Sequence, residues 1–251
     1  MPHPEQSPAA AGVELRERGA PREGVAQWLE RRLFVQLVAL EAPRQPGADA
    51  VAEQLNQALT GQGIGAVVYA DMHHPLGLAV VAYSEDPEAL AGTFRRILGS
   101  ADLPEGLRVR PEYSMLGRTY STGFEQDLEY WLIERPKHTL LEPANRYAIF
   151  YPLRRKGPFE RLPPREKGAI MQEHGAIGRA YGELDLAHDI RLACHGLDPN
   201  DNDFVIGLLG RDLYPLSHVV QAMRKTVQTA EYMEKMGPFF VGRSLYRISH
   251  K

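Results

Sequence analysis

His174 lies in the run Met171-Gln-Glu-His-Gly-Ala-Ile-Gly-Arg-Ala-Tyr181. Ile170, His174, Ile177 and Tyr181 are spaced i, i+4, i+7, i+11, so a helix puts them on one face. That face has to meet a sheet, and it turns the imidazole inward. Gly175 and Gly178 sit beside it. Each costs about 1 kcal/mol relative to Ala inside a helix. An inward imidazole flanked by two glycines suits a flat, metal-centred macrocycle, with one nitrogen for the metal and no bulk around it. Spacing alone leans toward a second reading. In that reading His174 is a packed histidine bonded to a carbonyl, and the glycines serve helix–sheet contact.

Other chemistry-bearing residues cluster on extended stretches. Tyr151 sits in Arg146-Tyr-Ala-Ile-Phe-Tyr-Pro152, and Arg154, Arg155 and Lys156 come after it. Alternation puts Tyr151 on one face with Ile149 and Tyr147. Asp189 and Arg191, two apart, share a face of the strand-like run Asp189–Cys194. His188 and His195 flank that run as candidate proton acceptors, or as structural histidines. His73-His74-Pro75 reads as a turn. Asp198-Pro-Asn-Asp-Asn-Asp203 lacks the Gly and Glu of a calcium loop and reads as a hairpin turn. Gly-rich phosphate loops are absent.

The elements that carry these residues repeat. The first set is the strand 32–40, the helix 48–59, the strands 65–69 and 78–83, a helix from Ser84-Glu-Asp-Pro87 to Gly99, and the extended stretch 108–122. The second set is the strand 146–152, the helix 163–181, the strands 189–194 and 204–209, the helix 216–233 and the strand 239–248. Gly117-Arg-Thr-Tyr120 and Gly242-Arg-Ser-Leu-Tyr246 echo each other on the two last strands. The order predicts an α+β fold of tandem ferredoxin-like (βαββαβ) repeats, with two antiparallel sheets packed together. Each repeat alone is too small to bury a large core. The division reads as 1–31, a mobile N-terminus with a short helix at Gly24–Arg32, then 32–122 as the first repeat. Residues 123–145 form a connection with a short helix at Asp127–Glu134, and 146–251 form the second repeat.

The 251 residues are 43% hydrophobic and 24% charged, with a net charge of −3. That balance argues against non-specific nucleic-acid binding. One cysteine, Cys194, makes no internal disulfide and no zinc cluster. No apolar run is long enough to span a membrane, and the first residues do not read as a secretory signal. A cytoplasmic protein is the expectation.

Glu173-His-Gly-Ala-Ile-Gly-Arg-Ala-Tyr181 resembles the haem-binding helix of the chlorite dismutase family. Phe150-Tyr-Pro-Leu153, Gly196-Leu-Asp198 with Asp203-Phe204, Met223-Arg224, Gly237-Pro-Phe-Phe-Val-Gly242 and Leu116-Gly-Arg-Thr-Tyr-Ser121 resemble further family segments in the same order. The resemblance covers roughly residues 32–248. It implies that His174 is the proximal iron ligand of haem b or iron coproporphyrin III. On the opposite face it implies Arg191 or Asp189, depending on how the longer turn at Gly196–Phe204 is counted, with Arg191 favoured. A guanidinium there would hold an oxyanion without losing its charge.

Tyr151 aligns with the tyrosine of the family's coproheme decarboxylases. That tyrosine passes an electron and a proton to the oxidised haem, then attacks a propionate. Arg155, with Arg154 beside it, aligns with a basic propionate-binding position. Lys137, or Arg135 in its place, aligns with another, and Thr229 with a propionate-binding serine. The resemblance thus implies peroxide-dependent decarboxylation of iron coproporphyrin III to haem b. Chlorite dismutation, a weak peroxidase activity and non-catalytic haem binding are the alternatives. It also implies a ring-shaped homo-oligomer, a pentamer by analogy. Pro158-Phe159 stands where both branches of the family carry other aromatics.

Overall fold

In a computed structural model residues 12–249 are described. The expected mobility of the first dozen residues falls largely outside them. Eight strands form the frame. They are β1 (Phe34–Glu41), β2 (Ala66–Asp71), β3 (Gly77–Ser84), β4 (Met115–Thr119), β5 (Tyr147–Arg155), β6 (His188–Ala193), β7 (Phe204–Gly210) and β8 (Phe240–Ile248). Each repeat gives an antiparallel sheet in the order fourth, first, third, second strand: β4-β1-β3-β2 and β8-β5-β7-β6. The second strand of each sheet then pairs with the fourth of the other, β2 with β8 and β6 with β4. The two expected sheets therefore face each other and join at both edges, which leaves no free edge among the eight strands.

The echoed glycines mark the two seams. A Cβ on Gly117 would lie 2.7 Å from the Cβ of Leu192 on β6, and one on Gly242 would lie 2.9 Å from the Cβ of Tyr69 on β2. Only a residue without a side chain lets the strands close there.

Inward side chains fill the barrel. Val35, Leu37, Val67, Tyr69, Val81, Phe150, Ile190, Leu192, Val205 and Phe240 form one buried cluster. The connection packs onto the same cluster through Leu128, Leu132, Ile133 and Leu140. Its helix lies later than expected, as a wide turn at Tyr130–Glu134 continuing into Arg135–Leu141. The helix expected at Gly24–Arg32 is not formed. Glu17–Arg18 and Trp28–Leu29 pair as short strands instead. Gln27 Nε2 donates to the carbonyls of Ala20, Glu125 and Gln126, and tertiary bonding outweighs helix propensity there.

Helices cover the outer faces, and the two repeats differ in how tightly. Helix α1 (Ala48–Gly61) buries Val51, Ala52, Leu55 and Leu59 completely against the first sheet. The segment Ala89–Phe94, continuing as α2 (Arg95–Leu98), closes the same face. On the second sheet α3 (Pro164–Glu183) takes the place of α1, yet Ile170 is its single buried residue. His174, Ile177 and Tyr181 are half-buried. The expected helix 216–233 divides into α4 (Leu213–Met223) and α5 (Val227–Tyr232), and Met233–Met236 then pairs with β5. The looser face belongs to the helix that carries His174.

Candidate functional site

The outer face of the second sheet is built in rows. β7 lies between β5 and β6, and its register puts Tyr151, Ile206 and Arg191 in one row and Ile149, Leu208 and Asp189 in the next. Leu153, Phe204 and Ala193 form a third. Tyr151 and Arg191 are thus two strand spacings apart, about 10 Å. Arg155 continues the Tyr151 side of β5, because residues two apart share a face. Helix α3 lies over this face and holds His174 opposite it. His174 feels the charges of Arg155, Asp189 and Arg191, so these groups lie within one another's electrostatic reach.

His174 is neutral there. Burial pushes its pKa down, the Arg155 guanidinium pushes the same way, and the value reaches about 4. Its Nδ1 lies 3.2 Å from Thr226 Oγ1. The flanking glycines are not needed for helix–sheet contact. A Cβ on Gly175 would meet only Arg179 Nη1, at 3.4 Å, and one on Gly178 only Met223 Cε, at 3.6 Å. Side chains would be accommodated at both positions, so the room beside the imidazole is what their absence supplies.

Tyr151 is 6% exposed and stacks on Phe239, with ring centroids 4.6 Å apart and planes at 24°. Burial raises its pKa, so the phenol keeps its proton at neutral pH. The hydroxyl makes no hydrogen bond among the described residues. Arg155 lies between two phenyl rings, its guanidinium carbon 4.7 Å from the Phe159 centroid and 4.5 Å from that of Phe204. Pro158-Phe159 therefore supplies an aromatic wall for this guanidinium. Burial lowers the pKa of Arg155, and its buried Nε has no partner. Its Nη1 lies 3.8 Å from Glu160, itself well exposed.

The two candidates on β6 form one unit. Arg135 donates from Nη2 to Asp189 Oδ1 at 2.7 Å and from Nη1 to the Asp189 carbonyl at 2.8 Å. The other carboxylate oxygen takes Arg191 Nε at 3.1 Å. Burial opposes charge on Asp189, but Arg191 and Arg135 outweigh it and hold the carboxyl below its ordinary range. For Arg191 burial likewise opposes charge, and Asp189 then holds the guanidinium cationic. Asp189 thus orients an arginine whose Nη groups make no hydrogen bond among the described residues. Both residues lie on this face, and Asp189 is occupied as the partner of two arginines.

Other expected residues fall elsewhere. Lys137 is not brought to the site, for it bonds to Glu85 at 3.2 Å, and Arg135 reaches β6 in its place. Arg154 alternates to the other side of β5 and donates to the carbonyls of Asp201 and Asn200. Thr229 stands beside Thr226 at the start of α5, hydroxyl to hydroxyl at 3.3 Å. His188 pairs with Asp185, and His195 lies 3.4 Å from Asp203.

Two residues belong to the site that sequence reasoning missed. Tyr120 comes just after β4, its ring tilted at 45° against Phe204 with centroids 5.4 Å apart, and it feels the charges of Arg191 and Arg155. Its signals were its place in the echoed Gly-Arg-Thr-Tyr motif and in the family-like segment Leu116–Ser121. Thr226 had none.

The sequence profile described as chlorite dismutase matches residues 44–245. The chain belongs to the chlorite dismutase family. A coproheme decarboxylase from Thermus thermophilus is 33% identical over 115 residues. That match covers 44% of this chain and 44% of the relative, so it spans less than half the relative's length. Among solved structures, a haem-binding protein from the same species superposes with a TM-score of 0.67 at 22% identity, covering 86% of this chain and 92% of that one. A chlorite dismutase from Candidatus Nitrospira defluvii in complex with imidazole gives 0.66 at 15% identity, with the same coverage. These structures share the fold of the chlorite dismutase family.

The residues present fit a haem-type group. They offer a neutral imidazole, room beside it, and a buried cation with an unused donor. No helix among the described residues is long and apolar enough to cross a membrane.

Arg155 separates binding from stability. Its charge is desolvated and only weakly paired, and replacing such a group with an apolar side chain is often neutral or stabilising. Arg155→Met is expected to leave the Tm of the apoprotein unchanged or raise it by a few degrees. The same change should weaken binding of a carboxylate-bearing porphyrin by about tenfold or more, the worth of a charged hydrogen bond. Thermal melting and porphyrin titration read the two effects. A fall in Tm of several degrees would make Arg155 a packing residue.

Proposed function

We propose that this protein binds an iron porphyrin through His174 and decarboxylates iron coproporphyrin III to haem b at the expense of hydrogen peroxide. One observation carries the reading. A buried guanidinium with an unpartnered Nε lies on the same sheet face as a buried, protonated phenol, so a carboxylate receptor stands beside a group able to give up a proton and an electron. A carboxylate on Arg155 would gain a charge-assisted bond. Tyr120, within the field of both guanidinium groups, offers a further hydroxyl.

For each propionate the balance is one carboxylate, one peroxide and one proton giving a vinyl group, carbon dioxide and two waters. The bound iron centre would supply the reduction of peroxide. Tyr151 holds its proton at Oη and is placed to pass it on together with an electron. Phe239, stacked on its ring, keeps water from that side. Arg191, oriented by Asp189, presents its Nη groups to an anionic oxidant or to a second carboxylate.

Arg191 is also the observation that favours a second reading, dismutation of chlorite to chloride and dioxygen. A third reading is haem binding without turnover, and a weak peroxidase activity is a fourth. A pentameric ring belongs to the same proposal by family analogy, and a cytoplasmic location belongs to it as the expectation from sequence. The test mixes apoprotein with iron coproporphyrin III and hydrogen peroxide and follows the porphyrin by mass spectrometry. Loss of two carboxyl groups is the expected result. An unchanged porphyrin with oxygen evolved from chlorite would favour dismutation, and a Soret band with neither reaction would leave binding alone.

A further inference from the structure

Thr226 is 2% exposed and lies where α4 gives way to α5. Its Oγ1 is 2.8 Å from the Met223 carbonyl oxygen, which can only accept. The hydroxyl has one proton. With that proton on Met223, the oxygen can only accept from its remaining neighbours. One is the backbone N–H of Thr229 at 3.4 Å, the cap of α5. Another is His174 Nδ1 at 3.2 Å. A neutral imidazole carries its proton on one ring nitrogen, and the partner of each nitrogen decides which. The Thr229 hydroxyl, 3.3 Å away, is a longer and weaker competitor for the proton of Thr226.

We propose that Thr226 is a positioning residue: the carbonyl of Met223 fixes its hydroxyl as an acceptor, which puts the His174 proton on Nδ1 and leaves Nε2 bare. The relay runs from Met223 O through Thr226 Oγ1 to His174 Nδ1, on two elements that pack together. It also sets the character of the imidazole. The acceptor is a neutral hydroxyl and not a carboxylate, so it orients the ring without drawing the Nδ1 proton away. Glu173, the nearest carboxylate in sequence, accepts instead from the Val227 backbone N–H at 3.1 Å. The inference rests on the reading of His174 as a ligand only for its consequence at the metal. The proton position is a property of the chain itself.

The test is long-range 1H–15N NMR of His174 in the apoprotein near neutral pH. Wild type and Thr226→Ser are expected to show the proton on Nδ1. Thr226→Val keeps the shape and loses the acceptor, and the Nε2–H form, which a free histidine side chain prefers, should become the major one. Loss of the cap costs about 1 kcal/mol, and Thr226→Ser retains both cap and acceptor should Thr226→Val fold poorly. A wild type protonated on Nε2, or a valine variant that keeps Nδ1–H, overturns the proposal. So does a serine variant that departs from wild type. In the porphyrin-loaded protein the ferrous iron–imidazole stretch should shift in Thr226→Val and return in Thr226→Ser. Failure of the His174 ligand assignment would remove that stretch in all variants and leave the apoprotein result standing.

Discussion

Replacing His174 with glycine is expected to abolish the porphyrin Soret band at micromolar protein and to weaken affinity by more than about 100-fold. That exceeds the loss from a supporting group alone, about 10–100-fold. The expectation rests on the inventory of the face. Asp189 is held by two arginines, burial keeps the protons on Tyr151 and Tyr120, Thr226 offers only a hydroxyl, and Arg155 and Arg191 are cations, so among these residues His174 alone offers a neutral ring nitrogen. The fold should survive, because His174 is only half-buried and its single hydrogen bond goes to a side chain that is otherwise anchored. Added imidazole should restore the band by entering the vacated space. His188→Ala is the control, since its side chain pairs with Asp185. An unchanged band in His174→Gly would sink the assignment.

The contrast between the repeats explains why the candidate site falls in one of them. Both present an outer face to helices, apolar in the first repeat and mixed with Asp189, Arg191 and Arg155 in the second. In the first, α1 closes on the sheet with four fully buried side chains, and little room remains for a ligand. In the second, the corresponding helix turns a histidine toward the sheet and sets two glycines beside it, where α1 turns Val51, Leu55 and Leu59. Each of those changes removes apolar contact with the sheet, at roughly 25 cal/mol per Å2 of apolar surface left unburied. A ligand that fills the interface would recover that burial, so porphyrin binding should also stabilise the fold.

The legible part of the chain came from periodicity. The i, i+4 spacing at His174 and the alternation through Tyr151 and Arg155 survive any small error in element ends, because neighbours on one face stay together. The echo of Gly117 and Gly242 was visible, but its meaning was not, because a seam exists only once two sheets meet. The resemblance left Lys137 and Arg135 open for one position, and geometry separates them. The wide turn at Tyr130–Glu134 adds backbone to the helix and rotates the residues after it, so Arg135 and not Lys137 faces β6. Thr226 was illegible, since its role depends on a contact with a helix 52 residues away.

Tyr151→Phe should bind iron coproporphyrin III within a few-fold of wild type and lose decarboxylation by about 10²–10⁴-fold, the range for removal of a positioned proton donor. The variant is unusually clean. The hydroxyl has no hydrogen bond to lose among the described residues, and Phe retains the stack on Phe239. Stability should therefore stay within about 0.5 kcal/mol, and a melting curve checks it. Single-turnover mass spectrometry then reads the chemistry alone. Two outcomes divide the roles on this face. If both propionates persist while binding is intact, the phenol is the group that connects oxidant to carboxylate. If decarboxylation proceeds at the wild-type rate, Tyr151 leaves the mechanism. Tyr120, a second phenol that feels the charges of Arg155 and Arg191, would then be the next residue to replace.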